Sequence, residues 1–371
     1  MGVHDSAVTQ AAAGVSASTA DLAFQNQSLQ GVSRTFALTI PQLPAGLRDV
    51  VGNAYLLCRL ADTIEDDAQL DAQTKREFAQ RFISVVDGTE DPAQFARELA
   101  PRLAPVTPVA ERELVEQCAV VLRITRTFNA AQQASLQRCV RIMAGGMADF
   151  QEGSTADGLD TLRSMDRYCY YVAGVVGEML TELFCDYSPK IAERREEMMP
   201  LSISFGQGLQ MTNILKDVWD DFERGACWLP RDVFARAGAS LHRRPTAADE
   251  ESYKSALRYL IGVAHAHLNN ALTYTLLLPK EELGIRRFCL WALGMAVLTL
   301  KKIHGSPQFS DAAAVKISRR AVKGTVAVTS LSAGSDWMLR RLFDLASSGL
   351  PLEPVELLSG PALRAGSGAV Q

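Results

Sequence analysis

Apolar residues recur every three or four positions along most of this chain, a spacing that predicts helices rather than strands. The pattern runs through Val50–Ile64, Glu113–Phe128, Ala134–Phe150, Tyr168–Phe184, Leu201–Val218, Tyr253–Leu277, Arg287–Ile303 and Val315–Ala346. Alternating β-branched runs and Asn-Gly turn pairs are absent, while Pro and Gly gather at Pro41–Gly46, Pro101–Pro108 and Gly305–Pro307, where breaks are expected. Several segments are apolar on most sides, which places them in an interior. The expected fold is therefore all-α: one domain of many helices around a central cavity, spanning residues 21–359. The ends, 1–20 and 360–371, lack periodicity and are rich in small residues, so disordered tails are expected there.

Two acidic clusters interrupt the apolar pattern: Asp62-Thr63-Ile64-Glu65-Asp66, with Asp67 behind it, and Asp217-Val218-Trp219-Asp220-Asp221. Residues i and i+4 share one helix face, about 6 Å apart along the axis. Asp62 with Asp66, and Asp217 with Asp221, then form two pairs of like charges, which destabilise a bare helix. Hard divalent cations offset that cost, and Mg²⁺ commonly links one or two carboxylates to substrate phosphates. Two such pairs suggest two walls of a site built for a diphosphate.

The neighbours of each pair refine this. Tyr55 and Arg59 continue the first stripe upstream. A lone pair of acids at this spacing reads as an ion-paired surface face; the aromatic and the apolar Tyr55–Leu60 stretch point instead to a lined pocket. Asn213, Asp217 and Asp221 form an i, i+4, i+8 line, with Gln210 one turn earlier, and neutral amides beside carboxylates suit oxygen coordination and diphosphate hydrogen bonds. Lys216 and Arg224 add cations, either for the diphosphate or as partners of Asp220 and Glu223. Residues 224–230 read as a loop over the helix end. Ser33-Arg34-Thr35-Phe36 offers a hydroxyl and a guanidinium beside an aromatic, suited to phosphate contact, although a helix cap is the better fit for Ser33 taken alone. In Tyr168-Cys169-Tyr170-Tyr171-Val172-Ala173-Gly174-Val175-Val176-Gly177-Glu178, two glycines three apart permit close approach, by a neighbouring helix or by a long hydrocarbon.

Composition bounds the partners. The chain of 371 residues has 47% hydrophobic and 22% charged residues, the range of soluble globular proteins. A net charge of −4 gives no footprint for nucleic acid. Seven cysteines without C-x-x-C spacing read as reduced thiols of a cytoplasmic protein. No secretory signal is expected, since no Lys or Arg precedes Arg34. The run Phe288–Leu300 is shorter than the roughly 20 residues that span a bilayer, and reads as a buried helix. A peripheral membrane contact stays open.

Together DTIEDD, YCYYVAG and QMTNILKD, with Ser33–Phe36, resemble the signatures of the squalene/phytoene synthase family, and the match runs from about Ser33 to Leu350. The resemblance implies the isoprenoid synthase fold and Mg²⁺ held by Asp62, Asp66, Asn213, Asp217 and Asp221. Arg59, Arg34 and Lys216 would share the diphosphate charge, and Phe36, Tyr55 and Phe288 would face an allylic cation. Tyr168 is linked to formation of a cyclopropyl intermediate. Within the family the chain is most similar to soluble, prokaryotic-type squalene synthases, through Phe288-Cys289, Met295-Ala296, Thr299-Leu300 and Val315-Lys316-Ile317. That implies joining of two farnesyl diphosphates and reduction by NADPH, with Lys316 near the reductant. No Rossmann glycine pattern is present. Asp220 stands where the family usually has Glu, and Lys216 where Arg is usual; both keep charge. The alternatives are a non-reductive member (presqualene diphosphate, hydroxysqualene, dehydrosqualene or phytoene synthase) and a non-catalytic lipid-binding or assembly factor, which intact acidic motifs disfavour.

Overall fold

A computed structural model describes residues 17–33, 35–150, 157–241 and 243–365. In chain order the helices are α1 (Thr19–Val32), α2 (Phe36–Thr39), α3 (Ala45–Asp66), α4 (Ala72–Asp87), α5 (Pro92–Leu99), α6 (Val109–Glu116), α7 (Cys118–Thr125), α8 (Ala130–Phe150) and α9 (Leu162–Cys169). They continue as α10 (Val175–Tyr187), α11 (Pro189–Ala192), α12 (Arg195–Glu223), α13 (Arg231–Ala237), α14 (Glu250–Leu277), α15 (Leu283–Gly305), α16 (Arg319–Ser332), α17 (Asp336–Ser347) and α18 (Gly360–Arg364). Among the described residues the one extended pairing is an isolated bridge between Leu159 and Pro230.

Helices α12 and α14 pack along each other at the centre, with α10 and α15 against α12, and α3 and α4 against α8. The long helices follow the apolar periodicity, but two expected segments divide. Glu113–Phe128 breaks at Gln117, whose backbone leaves the helical region (φ −104°, ψ 19°). Val315–Ala346 opens as a loop and then turns around Gly334 between α16 and α17. Near the start of Tyr168–Phe184 the chain widens into a π-helical turn, Tyr170–Gly174, a feature common at functional sites.

The glycines of that stretch settle on helix packing. A Cβ on Gly177 would stand 2.1 Å from the Ser202 carbonyl oxygen, and one on Gly206 would stand 2.3 Å from that of Ala173. The backbones of α10 and α12 therefore meet directly, and the close approach serves a helix rather than a hydrocarbon. Asn53, fully buried on α3, donates to Gln25 Oε1 and the Val121 carbonyl and accepts from Thr125 Oγ1, fixing α3 against α1 and α7.

Both expected tails need correction where they are described. Helix α1 starts at Thr19, capped by the Ser18 hydroxyl, which accepts from Asp21 N–H. Residues 360–364 form α18, capped by Ser359. Its Leu363 is buried and Arg364 donates to the Tyr170 hydroxyl at 2.5 Å; this tertiary seat, invisible to composition, orders the segment. Helix α15 extends beyond the apolar run and is long and apolar enough to cross a membrane, yet two thirds of its most apolar window is buried inside the protein.

Candidate active site

Helix α3 aims Tyr55, Arg59, Asp62 and Asp66 along one side. Arg59 Nη2 donates to the Tyr55 hydroxyl at 2.9 Å, and Nη1 lies 3.8 Å from Asp62 and 3.9 Å from Glu111 on α6. Burial pushes the Asp62 carboxyl up to about 7; Arg59 opposes this, while Asp66 and Glu111 add to it. Asp66 sits more openly at the rim, and the protein around it also raises its carboxyl against the pull of Arg224, Arg59 and Lys75. Asp67 behaves oppositely. Although burial favours its neutral form, N–H groups of Ala104, Gln69 and Leu70 and the Thr107 hydroxyl hold it low. It is a structural acid that ends α3.

Helix α12 supplies the second side. Gln210 is half-buried, Asn213 exposed, Asp217 half-buried and Asp221 buried. Lys216 Nζ contacts Asp217 Oδ2 at 3.1 Å. Arg224 bonds Asp221. Burial raises Asp217 and pushes Asp221 up to about 6, with the charges of Asp217 and Asp66 adding to the latter. The Asp66 charge thus adds to the rise at Asp221, and Arg224 acts on both acids. Lys216 and Arg224 serve the two acids of the stripe, whereas Glu223 pairs with Arg244 and Asp220 accepts the N–H of Ala312. Asp220 therefore anchors the loop 306–318, on which Lys316 is exposed.

An aromatic wall adjoins the first stripe. Phe36 lies 5.1 Å from Tyr55 and 6.2 Å from Phe288 between ring centroids, so three residues far apart in sequence form one cluster. Ser33 Oγ accepts from Phe36 N–H at 2.9 Å, as a cap on the start of α2. Arg34 lies outside the described residues.

Tyr168, buried on α9, donates to Glu65 Oε1 over a long 3.4 Å. Burial and then the charges of Glu65 and Asp66 lift its phenol well above its ordinary range. The side chain is thus a donor and a poor base. It stacks on Trp228 (centroids 4.0 Å apart, planes 7° apart) and meets the edge of Phe150 at 5.4 Å. Trp228 belongs to the loop after α12. That loop is pinned by Leu159 N–H to Leu229 O and Arg231 N–H to Leu159 O. Gly158 permits it: its φ is +88°, and a Cβ would stand 2.6 Å from the Leu229 oxygen.

Sequence reasoning missed Glu65, Glu111, Lys75 and Trp228 as neighbours of the motifs. Glu65 lies within the first motif and Trp228 within the 224–230 loop; Glu111 and Lys75 carry no local signal. Among the described residues no three His, Cys, Asp or Glu side chains converge as a protein-only metal cage. Open carboxylate pairs with raised protonation fit a hard cation that completes its shell with phosphate oxygens and water, as Mg²⁺ does.

The helical fold and the two facing acidic stripes define an isoprenoid synthase type of protein. The sequence profile of squalene/phytoene synthases matches residues 29–321. The chain is 29% identical over 281 residues to a squalene synthase of Gibberella zeae, covering 74% of this chain and 57% of that one. It is 27% identical over 335 residues to the squalene synthase of Schizosaccharomyces pombe, covering 88% and 69%. A solved structure, TcSQS in complex with BPH1237, superposes with a TM-score of 0.71 at 26% identity, covering 88% of this chain and 91% of that one. A dehydrosqualene synthase structure shares the fold, with a TM-score of 0.59 at 19% identity over 83% of this chain and 94% of that one. The chain belongs to the squalene/phytoene synthase family. It spans somewhat under three fifths of the Gibberella relative's length.

Proposed function

We propose that the protein is a prenyltransferase that joins two farnesyl diphosphates head to head through presqualene diphosphate and then reduces that intermediate with NADPH to squalene. The observation that carries this reading is the pair of acidic stripes on α3 and α12, Asp62 beside Arg59 and Asp217 and Asp221 beside Lys216 and Arg224, in a chain that matches the squalene/phytoene synthase profile over residues 29–321.

Asp62, Asp66, Asp217 and Asp221, helped by Asn213 and Gln210, would hold Mg²⁺, which supplies Lewis-acid charge to the departing diphosphate. Arg59, Arg34 and Lys216 share that charge. Phe36, Tyr55 and Phe288 present ring faces to the allylic cation and keep water away. Tyr168, neutral at any working pH, orients the proton lost on cyclopropane closure by donating to its neighbours rather than by abstracting it; diphosphate oxygen is the acceptor. NADPH is the hydride source for the second half-reaction, and the 306–318 loop, tied to Asp220 and carrying Lys316, is the element we assign to its phosphates.

The relatives named as squalene synthases support the product. The free cysteines suit a reducing cytoplasmic setting, with peripheral membrane contact for release of an insoluble product. The test is diphosphate release from farnesyl diphosphate with Mg²⁺ present. Release accompanied by a C30 cyclopropyl diphosphate supports the reading, and intact substrate refutes it.

A further inference from the structure

Helices α16 and α17, joined by the turn 333–335, both pack on α15. Their inward sides are well fitted. A Cβ on Gly294 would stand 2.5 Å from Thr325 Cγ2, Trp291 Nε1 donates to Ser330 Oγ at 3.2 Å, and Leu339 and Phe343 are buried. Their outward sides are not: Val328, Leu331, Trp337 and Leu345 are 44%, 89%, 69% and 75% exposed. Scattered exposed apolar residues are ordinary, but a group on one helical pair marks an interaction surface.

Charge says which kind. Arg319, Arg320, Lys323, Arg340 and Arg341 are all exposed on the same pair, and none forms an ion pair with a described carboxylate. Asp336 is taken up by Arg286 and Lys280 at 2.9 and 3.1 Å, leaving Asp344 as the outward acid of α17. A chain of net charge −4 thus carries a concentrated basic face with apolar side chains among the cations. An aromatic and aliphatic group ringed by Arg and Lys matches the boundary of an anionic bilayer, where Trp favours the headgroup depth and cations meet lipid phosphates.

We propose that the outward face of α16 and α17 docks on an anionic lipid surface, with Leu331 and Trp337 entering the headgroup layer and Arg340 and Arg341 contacting phosphates. The docking deepens the proposed function by giving a C30 hydrocarbon product a nearby apolar sink, but lipid binding is measured without turnover.

The full chain is sedimented with vesicles of phosphatidylcholine alone, or with about 30% phosphatidylglycerol added. It should bind the anionic vesicles, release at about 0.5 M salt, and show a blue shift of tryptophan emission. Trp337 is the exposed tryptophan; Trp219 and Trp291 are buried and Trp228 half-buried. Leu331→Asp with Trp337→Asp, and separately Arg340→Glu with Arg341→Glu, should each lower the bound fraction at least about fivefold. Val106→Asp, an exposed position before α6, should not. Absence of binding to anionic vesicles, or binding that these substitutions leave unchanged, overturns the proposal. So does a wild-type dimer that the same substitutions dissociate, which would assign the face to a second copy. Diphosphate release in detergent, run in parallel, reports separately on the proposed reaction.

Discussion

Tyr168 lies flat against Trp228, their ring centroids 4.0 Å apart and their planes 7° from parallel. The stack joins the turn before the π-helical segment to the loop that follows the second acidic stripe, so the two halves of the site share one rigid contact. Trp228→Ala should lower condensation about tenfold and destabilise the fold by about 2 kcal/mol, since a half-buried ring and its stacking partner are lost. Trp228→Phe should restore most of the rate. Initial rates and thermal midpoints of both variants check this; equal rates for Ala and Phe would separate the stack from catalysis.

Tyr168→Phe removes a hydroxyl and keeps the ring. It should slow formation of presqualene diphosphate from farnesyl diphosphate more than it slows conversion of presqualene diphosphate supplied directly. Single-turnover measurements of each half-reaction decide the matter. Equal slowing would reduce Tyr168 to a wall of the cavity.

Without metal, the acidic stripes weaken the fold at neutral pH. Asp62 and Asp221 have folded-state carboxyls near 7 and 6, raised by burial, against about 4 in an unfolded chain. The folded state therefore binds more protons between those limits, and stability should rise as pH falls from about 7 toward about 4. Below that range the gain from these two groups is complete. Urea midpoints across this window in chelator measure the slope. Mg²⁺ with inorganic diphosphate should flatten it, because the bound ligand holds the carboxylates ionised.

Much of this was readable from spacing. The i, i+4 placement of Asp62, Asp66, Asp217 and Asp221, and the long apolar helices, depend on local periodicity, which the chain keeps. What spacing hides is non-local. Glu111 reaches Arg59 from α6, Trp228 reaches Tyr168 through a loop fixed by the Leu159 bridge, and Arg364 orders a segment whose composition reads as a tail. The two glycines three apart were ambiguous in sequence because a helix backbone and a hydrocarbon make the same demand on a missing Cβ; Ser202 at 2.1 Å resolves it.

Asp62→Asn and Asp217→Asn should each remove turnover while preserving helical circular dichroism. In chelator near pH 7, Asp62→Asn should raise stability by on the order of 1 kcal/mol, because a raised carboxyl beside Asp66 no longer ionises. Activity above roughly a tenth of wild type, a loss below about 1.4 kcal/mol, would remove that residue from the metal-binding account.

The most direct measurement is identification by mass of the hydrocarbon products formed from farnesyl diphosphate and Mg²⁺, with and without NADPH. The cation left when the cyclopropane opens is quenched by hydride, by proton loss or by water, and a reductant beside the cleft favours the first. Squalene is expected with NADPH, and dehydrosqualene or hydroxylated C30 alcohols without it. Identical products in both conditions would contradict the reductive assignment and place the protein among the non-reductive synthases of its family.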